Sequence, residues 1–322
     1  MQSTKSPPRA GARCSSTSST ITGSWRTLDS KFRQLQSVFI RPGLALELLR
    51  EPFFVPHIEI IDAAEHPHLA DNGGAVPQCL RDDDAPLVVQ LARLAGECLL
   101  LTALADDPFG RAAKRDLEDR GLRVEAAWRR ATQRRAFVHL DRGGERTITV
   151  TGDRLAPRID DPLPWAELAD CDAVYLTAGD RGAAVAAREA ARLVATIRAR
   201  KALAESGAEL DVLVASADDR GERYSGGMIE PPPRTVVLTS GAEGGIVEEV
   251  DGGVSRWSAP PLPGPLVDTY GAGDSFAGGL TFGLARGLPI GEAVELAARC
   301  GAACVTGRGP YEGQLAGEAA PR

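Results

Sequence analysis

The stretch DTYGAGDSFAGGL (268–280) combines small residues and a carboxylate in an order that could support chemistry. Three consecutive residues have little or no side chain, Gly271, Ala272 and Gly273, and apolar residues at helical spacing follow them. Such a turn leaves backbone N–H groups uncovered at the start of a helix, where the helix dipole also favours an anion. Asp274 stands directly behind this turn, although a carboxylate repels a bound phosphate.

Three interpretations of Asp274 are open from the residues alone. The carboxylate could be a helix cap, which is a common use of aspartate. A dinucleotide-binding turn would need a third glycine where Phe276 stands, and it would normally open a βαβ unit. In a phosphoryl-transfer site, the amides would hold phosphate while the carboxylate takes a proton from the attacking hydroxyl. No G-K-[ST] sequence occurs, so the chain is not a P-loop NTPase.

The stretch 268–280 resembles the C-terminal signature of the ribokinase-like (PfkB-type) carbohydrate kinases. The resemblance implies that Asp274 is the catalytic base. It implies that the backbone amides of Gly271, Ala272 and Gly273 form an anion hole for the transferred phosphate. It also places Asp268 and Thr269 near the nucleotide, with Asp268 as a candidate ligand of a monovalent cation such as K⁺.

Two further segments extend the resemblance to about residues 57–313. The run GECLLLTALADDPFGRAAKRDLEDRGL (96–122) matches a strand, an Asp-Asp-x-Phe-Gly turn and a helix of the family. The loop TSGAEGG (239–245) matches a Thr-x-Gly-x-x-Gly loop that contacts the nucleotide in the family. The resemblance therefore implies ATP as the cofactor, bound at three positions of this loop, Thr239, Gly241 and Gly244.

The chain departs from the family pattern at two places. The family has a Gly-Gly step that lines the sugar pocket and an acid on the first strand that holds sugar hydroxyls. Gly73, Gly74 and Asp62 are the candidates here, but the polar run QCLRDDD interrupts the pattern. After a later strand, the family's Asn-x-x-Glu is replaced by Ser216 and Asp219. A shorter acid still allows contact with Mg²⁺ through water, so Asp219 is the candidate magnesium residue.

Composition narrows the class of protein. The chain has 322 residues, a net charge of −7 and 43% hydrophobic residues, which suits a large α/β domain. An acidic balance opposes a nucleic-acid partner, and no apolar run reaches the ~18 residues that a membrane span needs.

Six scattered cysteines without a C-x-x-C pair favour a reducing compartment and hence the cytoplasm. Residues 1–28 are rich in Ser, Thr and Arg, so an organellar transit peptide is the alternative to a disordered extension.

From about residue 56, strand and helix patterns alternate, which predicts an α/β fold. We expect a doubly wound, mainly parallel sheet with helices on both faces (ribokinase-like), plus a small β lid. The predicted domains are an N-terminal extension (1–55), a kinase domain (56–315) and a tail (316–322), with lid strands from 57–75 and 121–150. The predicted elements are a first strand (57–62), a helix (85–96), a strand (97–107), a hairpin about RGG (142–144), a strand (172–179), an Ala-rich helix (181–199), later strands (210–219, 235–245), a strand end (264–267) and a helix within 293–309.

The function predicted from these motifs is an ATP-dependent, Mg²⁺-requiring kinase. Its acceptor would be a primary hydroxyl of a sugar or sugar-like small molecule, with nucleosides included. The altered pocket and the SADD segment (216–219) leave an alternative open, a catalytically weak or silent relative that senses sugar or nucleotide. An exposed lid could also pair edge to edge, so a homodimer through lid strands is a further expectation.

Overall fold

The computed structural model describes the backbone of residues 37–40, 85–140 and 146–317, and side chains over 85–135 and 150–317. The strands are β1 (Ser37–Ile40), β2 (Cys98–Ala105), β3 (Arg123–Arg129), β4 (Arg135–Leu140), β5 (Arg146–Thr151), β6 (Ala173–Leu176), β7 (Leu193–Thr196), β8 (Val212–Ser216), β9 (Thr235–Thr239), β10 (Gly245–Glu249) and β11 (Val254–Trp257). The α-helices are α1 (Ala85–Ala95), α2 (Pro108–Asp119), α3 (Arg181–Ala187), α4 (Arg200–Ser206), α5 (Ala272–Ala285) and α6 (Ile290–Cys304). Within the described ranges, no helix is long and apolar enough to cross a bilayer.

A nine-stranded sheet forms the centre of the molecule, in the order β11-β10-β9-β8-β7-β6-β1-β2-β3. Strands β6 to β9 pair in parallel, as do β2 and β3, whereas β1, β10 and β11 pair antiparallel with their neighbours. The carboxyl ends of β6, β7, β8 and β9 therefore meet at one edge of the sheet. Ligands of open α/β sheets bind in the crevice at this edge, so the topology indicates where to look for the site.

Helices cover both faces of the sheet. On one face, α1, α5 and α6 contribute Leu91, Leu280 and Ala297 to a core with residues from the sheet, all of them buried. On the other face, α3 and α4 contribute Ala184 and Leu203 to a second core. The predicted α/β class with helices on both faces is confirmed.

Strand β1 lies inside the segment predicted to be an N-terminal extension. Its backbone pairs antiparallel with β2, where Ser37 faces Leu101, and with β6, where Val38 faces Tyr175. The boundary at residue 55 is therefore corrected, because the main sheet takes one of its inner strands from before it. The sequence SVFI is rich in β-branched and aromatic residues, which explains its strand conformation. The predicted first strand, 57–62, lies outside the described residues.

The predicted hairpin about residues 142–144 is present as a separate two-stranded sheet. Strands β4 and β5 pair antiparallel from Arg135 opposite Thr151 to Leu140 opposite Arg146. Strand β3 also falls within the range from which lid strands were expected, but it pairs in parallel with β2 at the edge of the main sheet. Only the later part of the range 121–150 therefore forms a sheet of its own.

The predicted Ala-rich helix 181–199 was wrong in its second half. Helix α3 ends at Ala187, and residues 193–196 form the fully buried strand β7 instead. The alanines of this segment give it high helix propensity, but the run Leu-Val-Ala-Thr is apolar on both faces and fills a central position of the sheet. A 3₁₀ turn, Ile197–Ala199, then leads into α4.

The predicted strand end at 264–267 is also absent, because this segment forms no ladder. Pro263 and Pro265 lack the N–H groups that a ladder needs, and Leu266 and Val267 are exposed. The other predicted elements correspond to α1, β2, β6, β8, β9 and α6.

The last described segment packs against the start of α1 and the start of α5. The Gln314 side chain donates from Nε2 to the carbonyl of Pro86 (2.6 Å) and to Oγ of Ser275 (3.1 Å). Gln90 donates in turn to the carbonyl of Leu315 (2.9 Å). Residues more than two hundred positions apart are thus held together beside the turn that precedes α5.

Candidate active site

A cleft of about 400 Å³ of empty space opens at the carboxyl edge of β6 to β9. The cleft is lined by Tyr175, Thr196, Arg198, Val214, Ala215, Glu222, Thr239, Gly273, Asp274 and Ala277. The parallel strands and the start of α5 therefore bring together residues that are up to one hundred positions apart.

The turn before α5 has the conformation that its small residues predict. Gly271 is the N-cap of α5 with a φ of 84°, a left-handed conformation that side chains other than glycine adopt at a cost. A Cβ at Gly271 would also lie 2.7 Å from Cβ of Pro310. The glycine is thus needed both for the turn and for the close approach of the loop that follows α6. The first N–H groups of α5 are left without a side-chain cap from this residue, as an anion-binding turn requires.

Asp274 is the third residue of α5 and lines the cleft beside Gly273. The N-cap position belongs to Gly271, so Asp274 is not the helix cap of the first interpretation. Its neighbours Ser275 and Phe276 are buried on the core side of the helix. The helix therefore presents its small residues and its one carboxylate at the end of the cleft while its apolar residues fill the core.

The loop after β9 forms the adjacent part of the same side of the cleft. Thr239 lines the cleft, and a 3₁₀ turn of Gly241–Glu243 follows it. Gly241 has a φ of 55° and Gly244 a φ of 88°. A Cβ at Gly244 would lie 2.1 Å from the carbonyl oxygen of Trp257, so no larger residue fits there. We call residues 239–245 and 271–274 together the glycine wall.

Asp268 has a structural contact that the sequence did not suggest. The residue is buried, and its two carboxylate oxygens accept hydrogen bonds from the backbone N–H groups of Tyr270 (2.9 Å) and Gly309 (3.2 Å). Its own N–H and that of Val267 donate to the carbonyl of Val305. Asp268 thus fixes the turn before α5 against the loop after α6, and Thr269 lies half-buried in the same turn.

Charged side chains from two loops lie at the cleft, and two of them, Arg198 and Glu222, line it. Arg198 follows β7, and Asp219 and Glu222 follow β8. The Nε atom of Arg198 donates to Oε1 of Glu222 (2.8 Å), and its Nη2 atom lies 3.7 Å from Oδ2 of Asp219. All three side chains are nearly buried, with exposed fractions of 11%, 12% and 7% for Arg198, Asp219 and Glu222. We call these three residues the charged wall.

The segment SADD folds into a compact turn at the end of β8. Oγ of Ser216 accepts a hydrogen bond from the N–H of Asp219 (3.2 Å), and Oδ1 of Asp219 accepts one from the N–H of Gly221 (2.7 Å). The remaining oxygen of Asp219 faces Arg198. Within the described side chains, no group of three or more Asp, Glu, His or Cys residues is arranged to hold a metal ion by itself.

Two thiols of α6 are buried, and Cys304 lies behind residues 271–274, which we call the anion turn after its predicted role. Burial, together with the nearby carboxylates of Asp274 and Asp268, raises the pKa of the Cys304 thiol to about 11. Burial also raises the pKa of the Cys300 thiol to about 12. Both thiols are free and stay protonated at neutral pH. Sγ of Cys304 donates to the carbonyl of Tyr270 (3.5 Å) and supports the turn from behind.

The structure brings part of the predicted site together. Thr239, Gly273 and Asp274 line one cleft, and the other predicted members of the glycine wall are their chain neighbours, Gly241, Gly244, Gly271 and Ala272. Asp219 lies beside Arg198 and Glu222, which both line the cleft. The predicted sugar-binding residues Asp62, Gly73 and Gly74 lie outside the described residues.

Sequence reasoning missed Arg198 and Glu222. Arg198 was hidden inside the predicted helix 181–199, so it was not recognised as the second residue after a parallel strand. Glu222 stands three residues after Asp219, in the loop that follows a predicted strand, and an acid in that position was a usable signal. Both errors concern charged residues at the carboxyl ends of strands.

Comparisons with known proteins agree on the class. Residues 206–316 match the family described as pfkB family carbohydrate kinase. A fructokinase from Klebsiella pneumoniae is 29% identical over 296 residues, which cover 77% of this chain and 94% of that protein. An aminoimidazole riboside kinase from Salmonella typhimurium is 28% identical over 306 residues, which cover 80% of this chain and 91% of that protein.

Solved structures of the same class share the fold. A ribokinase from Thermotoga maritima has a TM-score of 0.59 at 19% identity, covering 74% of this chain and 85% of that one. An adenosine kinase from Sinorhizobium meliloti has a TM-score of 0.60 at 19% identity, covering 78% of this chain and 85% of that one. The fold is therefore that of the ribokinase-like proteins.

The family match and the two relatives indicate the class of protein as well as its fold. The signature at residues 268–280 lies inside the segment that matches the family, and the predicted resemblance to the PfkB-type carbohydrate kinases is confirmed. The expectation that the protein is a kinase of this class is likewise confirmed.

Proposed function

We propose that this protein transfers the γ-phosphoryl group of ATP to a primary hydroxyl of a sugar or sugar-like small molecule, and that Asp274 is the general base. The observation that carries the proposal is the position of Asp274. Its carboxylate lines the same cleft as the uncovered turn at Gly273 and the nucleotide loop at Thr239. An acceptor hydroxyl beside Asp274 would thus face a phosphate held by the first amides of α5.

The chain's own groups supply positioning and charge stabilisation in this scheme. The N–H groups of the anion turn and the dipole of α5 stabilise the charge that develops on the transferred phosphoryl group. Asp274 orients the acceptor hydroxyl and takes its proton. Core packing of Phe276 and Leu280 fixes α5, so the turn and the carboxylate are held in place before substrates bind.

The charged residues of the cleft fit a magnesium ion that enters with the nucleotide. Three carboxylates, Asp219, Glu222 and Asp274, stand against the single guanidinium of Arg198, so these side chains leave the cleft with net negative charge. Magnesium is typically held by one or two carboxylates together with waters and substrate phosphates, so a protein cage is not required. Asp219 would hold the ion through water. Bound there, Mg²⁺ would offset the negative charge of the phosphates.

A monovalent cation is proposed at Asp268 because of the family resemblance at residues 268–280 and the place of this residue in the turn before α5. Its two carboxylate oxygens accept backbone hydrogen bonds from Tyr270 and Gly309. The expected result is that K⁺ raises turnover at constant ionic strength, whereas Na⁺ does so less. Equal activity in the two salts would remove the assignment.

The names of the relatives define the acceptors to be tested. These proteins are named fructokinase, aminoimidazole riboside kinase, adenosine kinase and cytidine kinase. All four names point to a furanose-containing or sugar-like acceptor with a free hydroxymethyl group. We propose the same class here and a cytoplasmic setting with small-molecule partners. The lid hairpin of β4 and β5 is the proposed surface for a homodimer.

The test is ADP release from MgATP with a panel of fructose, ribose, aminoimidazole riboside, adenosine and cytidine. At least one acceptor is expected to raise ADP release well above the rate without acceptor, and mass spectrometry of the product should show one added phosphate. The alternative function, a silent sensor, predicts no ADP release with any acceptor although one of them still raises the melting temperature. That pattern would overturn the kinase proposal.

A further inference from the structure

Arg198 has more hydrogen-bonding capacity than its protein partners use. A guanidinium carries five N–H donors in a fixed fork. Within the described residues, its side chain makes one hydrogen bond of good geometry, from Nε to Oε1 of Glu222 (2.8 Å). Nη2 approaches the same oxygen (2.7 Å) but is buried without a properly oriented acceptor. A buried donor without an acceptor is costly, so its presence in a cleft suggests a missing ligand.

The structural arginines of the same chain behave differently. Arg129 binds both oxygens of Asp161 (2.7 and 2.6 Å) and also the carbonyl of Ala156 (3.1 Å). Arg188 donates to Asp211 and to the carbonyls of Glu209 and Ala190. These two side chains are outside the cleft, and each makes at least three hydrogen bonds through its guanidinium. Arg198, which lines the cleft, makes fewer hydrogen bonds than either of them.

The position of Arg198 indicates the kind of ligand. It lines the cleft together with Gly273, Asp274 and Thr239, and it stands at the carboxyl end of β7, next to β8 and β9. Strand β9 leads directly into residues 239–245, the loop that resembles the nucleotide-binding loop of the family. An anion that spans the loop and the anion turn would pass the guanidinium, and a polyphosphate chain has that length and charge. Arginine forks match phosphate oxygens in pairs.

We propose that Arg198 binds a phosphate of the nucleotide, and that Glu222 and Asp219 are positioning residues that hold its guanidinium toward the cleft. Glu222 fixes Nε and one edge of the fork, and Asp219 lies near Nη2 at 3.7 Å. The guanidinium keeps N–H donors beyond the one that Glu222 uses, on a residue that lines the cleft. The inference rests on the proposed function for the identity of the nucleotide, but its central test requires binding only.

The central experiment measures ATP and ADP affinity by calorimetry for the full chain and for Arg198→Met. Hydrogen bonds to charged groups contribute about 1.5–3 kcal/mol, so the affinity for ATP is expected to fall about 10- to 150-fold. The loss should shrink as the KCl concentration rises, because the wild-type contact is electrostatic. Arg198→Lys should lose less, since it keeps the charge without the fork. Arg188→Met is the matched control and should bind ATP like wild type.

Wild-type ATP affinity in a folded Arg198→Met protein would overturn the proposal. If that variant unfolds, Arg198→Gln replaces it, because glutamine keeps a polar N–H donor in the loop while it removes the charge and the fork. Wild-type ATP affinity of a folded Arg198→Gln protein would likewise overturn the proposal, and a salt-dependent loss of ATP affinity would support it. A loss that is equal at low and high salt and equal for Arg188→Met would also count against it, since that pattern indicates a general structural defect.

Glu222→Gln tests the positioning role separately. Because it leaves the charge of Arg198 and removes a negative charge, ATP affinity should stay the same or rise. Turnover should fall about tenfold, since the fork is no longer held in one orientation. Equal turnover, or a fall in ATP affinity without a fall in turnover, would contradict the positioning role.

The failure of this inference can be told apart from the failure of the proposed function. If no acceptor of the panel is phosphorylated, the kinase proposal fails, yet the salt-dependent loss of ATP binding in Arg198→Met would still establish the phosphate contact. If an acceptor is phosphorylated and Asp274→Asn stops the reaction while Arg198→Met binds ATP normally, only the role of Arg198 is lost.

Discussion

The glycine wall and the charged wall belong to one cleft but are built on different physical principles. The glycine wall presents backbone groups, and its shape depends on positive φ angles at Gly241, Gly244 and Gly271. The charged wall presents the ends of long side chains that fix one another, Arg198 between Asp219 and Glu222. Backbone amides are placed by local sequence, whereas the orientation of a guanidinium depends on partners from another loop.

The difference indicates how each wall tolerates change. A substitution in the glycine wall adds atoms where the ligand or Pro310 must lie, so it acts by exclusion. A substitution in the charged wall leaves the cleft open, but it removes a charged group or leaves its partner without a counter-charge. We therefore expect loss of catalysis or binding in the first case and altered salt, metal and orientation dependence in the second.

The largest expected effect is that of Asp274→Asn. Asparagine has the size of aspartate but cannot take the hydroxyl proton, and general bases contribute about 10²–10⁴-fold, so turnover should fall by that factor. ATP affinity should hold or rise, because a negative charge beside the phosphate is lost. Steady-state kinetics and calorimetry measure both effects.

Asp180→Asn is the matched control for Asp274→Asn. Asp180 is a true N-cap, since its Oδ1 atom accepts from the N–H of Ala183 (2.8 Å) at the start of α3. Asparagine caps helices about as well as aspartate, so this variant should keep both stability and turnover. Near-normal turnover of Asp274→Asn would refute its assignment as base.

Gly241→Val should have the next largest effect, on nucleotide binding. Valine at a φ of 55° is strained, and its branched side chain would occupy the surface that a nucleotide approaches. We expect ATP affinity to fall at least about tenfold while acceptor binding is kept, a discrimination of at least ~1.4 kcal/mol. Calorimetry with each ligand gives both values.

Gly252→Val separates strain from exclusion. Gly252 also has a positive φ, 94°, but it lies in the turn between β10 and β11, where a Cβ would meet nothing within 4 Å. It should lower stability by an amount similar to that of Gly241→Val and leave ATP affinity unchanged. Equal losses of ATP affinity in the two variants would mean that the loop 239–245 is not a nucleotide site.

The ion pair of Arg129 and Asp161 lies outside the cleft and serves as a comparison for the ion pairs of the charged wall. The hydrogen-bonded guanidinium of Arg129 holds the pKa of the Asp161 carboxyl below its usual value. Asp161→Asn should therefore lower the free energy of unfolding by about 1–3 kcal/mol at pH 7 and leave ATP affinity unchanged. Urea unfolding measures the first effect, and the exposed Asp119→Asn is the control.

The stability contribution of Asp161 has a defined pH dependence. Its folded pKa is lowered, so the contribution is complete above the unfolded value of about 4 and is lost as the pH falls through the folded pKa. The difference in unfolding free energy between wild type and Asp161→Asn should accordingly shrink below pH ~4. A difference that stays constant down to pH 2 would assign the loss to packing instead.

The smallest expected effect is that of Asp219→Asn in the charged wall. If Asp219 contacts Mg²⁺ only through water, turnover should fall by less than about tenfold, at or below the usual effect of outer-shell metal contacts. The Mg²⁺ concentration for half-maximal turnover should rise, which a Mg²⁺ titration at constant ATP detects. Complete loss of activity would point to direct coordination, and an unchanged titration would remove Asp219 from the metal site.

The sequence was most informative where the site depends on the backbone. The positions of Gly271, Ala272 and Gly273 were enough to predict a tight turn at the start of a helix, because glycine tolerance and helix starts are local properties. The loop after β9 was predicted for the same reason. The alternation of strands and helices likewise gave the fold class.

The charged wall and strand β1 could not be predicted in this way. Arg198 reaches Glu222 across the gap between β7 and β8, a contact set by tertiary packing. The alanines before β7 favoured a helix locally, and burial in the sheet overrode that preference. The pairing of residues 37–40 with β2 and β6 is also non-local, since partners at least 58 positions away decide whether the segment is a strand.

The contacts of the last described segment have a consequence for the order in which the protein matures during synthesis. Asp268 needs the N–H of Gly309, and Ser275 and Pro86 are both joined by Gln314. Translation delivers the N-terminal part first, so the sheet and α5 can form before these partners leave the ribosome. The turn before α5 acquires these supports only after Gly309 and Gln314 have left the ribosome, so a chain cut before residue 309 would have the sheet and α5 without the contacts that hold the turn.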